Sequence, residues 1–129
     1  MTKQIAQVAF AALLLPLAGP PAMAQGAADV HAACSAYLAP AFSKPTKETA
    51  NGVTVDCRCV AGYLVGRYGA ADAQTIVRLL AAGGGSEKEM EAVAKELGLD
   101  RVRAVMGRVG KFQDLGREMN EACPGTKTP

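Results

Sequence analysis

Cys34, Cys57, Cys59 and Cys123 are the residues of this 129-residue chain best suited to chemistry, and His31 is its only histidine. Three chemistries are open to such a set. A Cys-His nucleophile needs a reduced thiol within reach of the imidazole. His31 precedes Cys34 by one helical turn, so Cys34 would be the thiol. A thiolate metal site could use Cys57-x-Cys59, with His31 or a methionine completing a copper set. The third chemistry is a pair of disulfides, which needs only an oxidising compartment.

The N-terminal residues select among these. Lys3 gives a positive start, and an uncharged apolar run follows from Ile5 to Leu17. Pro16, Gly19, Pro20 and Pro21 interrupt it, and Ala22-Met23-Ala24 supplies small residues for cleavage. This pattern predicts a secretory signal peptide over 1–24, with Gln25 as the first mature residue. The run is too short for a membrane span, which needs about 20 apolar residues. An exported chain, periplasmic or secreted, with an even number of cysteines reads as a disulfide framework. His31 is then a bystander, and the expectation is a protein that is not an enzyme and carries no cofactor or metal.

Composition narrows the partners. Cleavage removes Lys3 and leaves 13 basic against 12 acidic side chains, a net charge of +1. That charge steers the protein toward neither nucleic acid nor an anionic membrane. The Gly83-Gly84-Gly85 run is followed by Glu87 and Glu89, not by the lysine and hydroxyl of a phosphate loop,.

The cysteines must be positioned by helices, because no alternating strand pattern occurs. Asp29 can cap a first helix reaching to about Phe42, with Val30, Cys34, Tyr37 and Ala41 on one stripe and Pro40 near its end,. The segment 43–52 reads as a solvated link. Thr54 can cap a second helix to Tyr68, on which Val53, Cys57, Val60, Leu64 and Tyr68 form a bulky stripe. Cys59, Gly62, Tyr63 and Gly66 form another, so this helix is expected at the centre,.

Asp72 can cap a third helix over about 73–82,. Ser86 and Glu89 make a capping box for a fourth, with Met90, Val93, Ala94 and Leu97 on its inner face,. Gly98 ends that helix, and Leu99 can pack back onto its last turn,. Asp100 can cap a long last helix over about 101–122. Its inner positions are Val102, Val105, Val109, Phe112, Gly116, Met119 and Cys123, a heptad seam,. Residues 124–129 read as a disordered tail. The expected fold is all-α: one disulfide-stapled bundle of about five helices over 25–123.

Residues two apart on a helix face opposite ways, so Cys57 and Cys59 should bond different partners. The bulky stripe of Cys57 suits the seam ending at Cys123, and the glycine face beside Cys59 suits the small-residue first helix. Facing therefore favours Cys34–Cys59 with Cys57–Cys123. The alternative, Cys34–Cys57 with Cys59–Cys123, differs only by a small helix rotation.

Two resemblances rest on these residues. Plant lipid-transfer proteins carry a Cys-x-Cys on a helix, bonded to an early helix and to the C-terminal region. Cys34, Cys57, Cys59 and Cys123 resemble that arrangement, but the family's other cysteines, including its adjacent pair, are absent. The stretch Cys59-Val-Ala-Gly62-Tyr63-Leu64-Val-Gly66 resembles the Cys-x-Gly-Tyr-Ile-x-Gly segment of small periplasmic immunity proteins of type VI secretion, with the spacing one residue off. Neither assigns a function. The residues themselves lead to a small exported, non-enzymatic protein that binds a macromolecular partner, most simply a protein. The alternative is a carrier of a lipid or other apolar ligand between helices, because a chain rich in Ala, Val and Leu with few aromatics can leave such a space.

Overall fold

The computed structural model describes residues 21–45, 52–83 and 86–126. The protein is a small disulfide-stapled all-α bundle, with no β-strand among the described residues. Helix α1 starts at Pro21–Ala33, passes through a π-helical segment at Cys34–Leu38 and finishes as Ala39–Ser43. Then follow α2 (Cys57–Tyr68), α3 (Ala70–Gly83), α4 (Glu87–Leu97), α5 (Leu99–Val109) and α6 (Phe112–Ala122). Residues 1–20 of the expected leader lie outside the described residues, and α1 begins ahead of the expected cleavage junction.

Proline explains the π segment. Pro40 has no N–H to give to residue 36, and its ring crowds that carbonyl. Widening the preceding turn relieves the crowding, and the Ala39 N–H bonds back to the Cys34 carbonyl instead,. The wider turn keeps Val30, Cys34 and Leu38 on one buried line and leaves Tyr37, expected inside, 46% exposed. Asp29 does not cap the helix. It lies within α1 and accepts a bond from the Gln25 side chain. After Ser43 the backbone turns extended at Lys44, as the residue before Pro45 favours,. The Val53 N–H returns to the Phe42 carbonyl at 2.7 Å, closing the link.

The start of α2 differs from expectation by two residues. Asp56 is the cap, not Thr54, and its carboxylate accepts the Cys59 N–H at 3.2 Å. Cys57 and Cys59 therefore occupy the first turn of the helix. Cys57, Val60, Leu64 and Tyr68 are buried, as the bulky stripe predicts, Ala61 is buried beside them, and Val53 at the head of the stripe is half-buried. Gly62 and Gly66 are exposed, and a Cβ on either would meet nothing within 4 Å.

The centre belongs to α3, which packs against α1, α2, α4 and α5. It starts at Ala70, so Asp72 sits in its first turn and not at its cap. Ala73, Thr75, Ile76, Val77, Leu79 and Ala82 are all buried. Full burial of residues such as Ile76 or Leu64 stabilises by about 1.5–3 kcal/mol each,.

The Ser86 hydroxyl accepts the Glu89 N–H at 3.2 Å and starts α4 as expected. Met90, Val93, Ala94 and Leu97 are half-buried, and no residue of α4 is fully buried. Leu99 does not pack back; it is 51% exposed and opens α5 directly after Gly98, where Asp100 lies in the first turn and caps nothing. The expected long last helix is two helices. Gly110 takes a φ of +77° and caps α5, Lys111 is extended, and α6 sets off anew. The seam is broken there, and Leu115, outside the heptad positions, becomes a core residue with Met119 and Cys123. Two helices in place of one make six among the described residues.

The disulfides are Cys34–Cys57 and Cys59–Cys123, with Cα separations of 5.6 and 5.7 Å. This corrects the favoured pairing, Cys34–Cys59 with Cys57–Cys123. The bulky stripe of α2 meets α1, so Cys57 faces Cys34 across the core. Cys59, half-buried on another side, meets the end of α6. Residues 124–126 also depart from expectation. The Thr126 hydroxyl accepts the Asp56 N–H at 3.1 Å, which docks this part of the tail on the start of α2.

Candidate functional site

The four cysteines are all bonded to one another, which leaves no thiol for nucleophilic or metal chemistry in this state. His31 lies exposed on α1, where it borders a shallow depression with Arg58, Ala61 and Gly62. Among the described residues, no three His, Cys, Asp or Glu side chains gather where they could hold a metal ion. The structure thus brings the predicted residues together as two cross-links and assigns His31 to neither.

Around the cross-links lies a polar network. Arg67 of α2 donates to the Tyr63 hydroxyl at 2.6 Å and pairs with Glu118 of α6. Its guanidinium lies near the rings of Tyr63 and Tyr68. The Tyr63 hydroxyl, followed by the Glu118 carboxylate, holds Arg67 above its ordinary pKa, so it stays charged,. Arg108 of α5 pairs with Asp72 and donates to the Tyr68 carbonyl at 3.2 Å. These groups join α2, α3, α5 and α6 on the outside of the bundle.

The feature that cysteine chemistry did not indicate is an apolar cleft of about 540 Å³. Leu79 and Leu80 of α3, with Val102 and Met106 of α5, line it. Phe42 at the end of α1 and Phe112 at the start of α6 contribute aromatic surface, and these are the only phenylalanines outside the expected leader. Met90 and Ala94 come from α4, and Gly83 leaves room beside Met90, whose Cε would lie 3.6 Å from a Cβ there. Gln113 is the one polar residue of the lining, and none is charged.

The cleft follows from the local sequence. Helix α4 presents Ala94 and flexible Met90 toward α3, too little bulk to close the gap. Gly110 breaks the last helix, so Phe112 approaches at a different angle from Met106. Met119 fills the core at 7% exposure, but Met106 is 47% exposed at the cleft. Methionine's flexible, polarizable side chain suits adaptable binding surfaces as well as cores. The available signal was Met90 and Met106 together with Phe42 and Phe112, the two phenylalanines beyond the expected leader.

No helix among the described residues is long and apolar enough to cross a membrane. Compared with known protein families, curated proteins and solved structures, the chain finds no match.

Proposed function

We propose that this is a small exported, non-enzymatic binding protein whose apolar cleft holds a hydrocarbon chain such as the acyl chain of a lipid. The supporting observation is the cleft itself. Its volume falls within the range of about 300–1,000 Å³ usual for small-ligand pockets. A lining with one neutral polar group suits a ligand segment that is itself uncharged, and a charged head would remain outside in water. Bonded cysteines and an exposed histidine support a non-enzymatic role, and the leader-like start of the chain supports export to the periplasm or beyond.

Each buried methylene contributes about 0.8 kcal/mol before the costs of ordering the ligand. Affinity for a series of saturated fatty acids should therefore climb with chain length and level off once the cleft is full. Met106→Lys should weaken the best binder about tenfold or more while leaving the melting temperature of the ligand-free protein close to wild type. Displacement of a fluorescent fatty acid reads both. Affinity independent of chain length would overturn the reading.

A second reading is a macromolecular partner, most simply a protein. It is favoured by Leu99 and Met106, both about half exposed and seven residues apart on α5. Together they form an apolar edge that a partner helix could cover. A protein that shows no acyl-chain binding, yet loses association with a defined partner on Leu99→Asp, would establish this reading in place of the first.

A further inference from the structure

A second cleft, of about 380 Å³, lies on a different stripe of α3. Ala71, Gln74, Thr75 and Arg78 stand at i, i+3, i+4 and i+7, and all four line it,. The junction of α4 and α5 brings Glu96 and Arg101 to the opposite wall, and α1 brings Tyr37. We propose that this cleft binds a small organic carboxylate, independently of the apolar cleft.

Three observations carry the proposal. First, the charged lining is two arginines against one glutamate, a surplus of one positive charge. Arg101 makes no ion pair among the described residues. Its Nε donates to the Thr75 hydroxyl at 3.1 Å, and Thr75 is 97% buried, with its own hydroxyl donating to the Ala71 carbonyl. A side chain anchored through Nε keeps its two terminal nitrogens for an acceptor.

Second, Arg78 is largely withdrawn from water, with its side chain 18% exposed, and lies 4.3 Å over the Tyr37 ring. Its carboxylate partner, Glu96 at 2.9 Å, is 63% exposed. A ligand carboxylate entering the cleft would meet Arg78 and Arg101 together, and the solvated Glu96 can swing away at little cost. Guanidinium and carboxylate match as planar forks, which makes such pairing stronger than contact with a point charge.

Third, the cleft is larger than a bare anion needs, and beside Gln74 part of its remaining wall is apolar. Ala33, Leu97 and the flank of Tyr37 can cover a small hydrocarbon or aromatic body attached to the carboxylate,.

The test uses the full chain, with benzoate and inorganic phosphate as probes, followed by amide chemical shifts at constant ionic strength. Benzoate should bind saturably, more tightly than phosphate, with the largest shifts at residues 74–78 and 96–101. Arg101→Gln should weaken benzoate about tenfold, the usual value of a charge-assisted pair. Glu96→Gln should tighten it several-fold by removing the competing carboxylate, an effect that a purely structural role for Glu96 does not give. Met106→Lys should leave benzoate binding unchanged, which separates this cleft from the apolar one. Phosphate binding as tightly as benzoate, Glu96→Gln weakening benzoate, or indifference to Arg101→Gln would each overturn the proposal.

Discussion

Gly52 holds the chain where it returns from the link to α2. Its φ is +76°, and a Cβ there would overlap the Ser43 carbonyl. The Gly52→Ala variant meets strain and a backbone clash together, and neither neighbour can move without opening the Val53–Phe42 bond. We expect a loss of about 1–3 kcal/mol, read as a lowered urea midpoint. Caps act at the same scale by a different route. Asp56→Ala strips the Cys59 N–H of its acceptor in the turn that carries both cysteines of α2. Ser86→Ala does the same for Glu89. Each should cost about 0.5–2 kcal/mol, and an unchanged midpoint would show that water replaces the cap at no penalty. Asp56→Ala should be the more costly of the two, because its carboxylate caps a half-buried turn and Ser86 lies exposed.

Among the elements, α4 stands apart. It has no fully buried residue, and among the described residues its only ion pair is Glu96 with Arg78. Helices held by few buried contacts open at lower free energy than those in the core. Amide hydrogen exchange should therefore be faster across α4 than across α2 and α3, and an acyl chain in the apolar cleft should slow it. Equal protection in α4 and α3 would show that α4 opens only with the whole bundle. The elements also show what was legible beforehand. Stripes of apolar residues gave α2 its buried face, and Ser86 with Glu89 placed the start of α4. The break in the last helix was hidden because Gly107, Gly110 and Gly116 look alike locally. Only tertiary packing makes Gly110 the one with positive φ. The stripe on α2 identifies its inner face but not its neighbour, since helical periodicity shows that a face is buried but not what covers it. The apolar cleft was foreseen only as a space that small side chains leave, without its place or its lining.

At the scale of the whole molecule, the cross-links contribute much of the stability a small core lacks. Sequence separations of 23 and 64 residues correspond to about 3.4 and about 4.3 kcal/mol in the chain-entropy model,. Full reduction should lower the melting temperature steeply or abolish the helical circular-dichroism signal at 37 °C. A melt unchanged by reduction would mean that the packed core suffices alone. The covalent graph has a further property. One ring closes between Cys34 and Cys57, the next between Cys59 and Cys123, and they share no segment. They stand in series, like two links joined through Arg58. Cutting the backbone once inside either ring leaves a single covalent molecule. Cutting once after Arg58, in the unfolded but unreduced chain, releases two separate pieces, each with its ring intact. Crossed rings, as in the pairing of Cys34 with Cys59, would hold together after the same cut. One exposed arginine is thus the only joint between two independently closed halves of the chain.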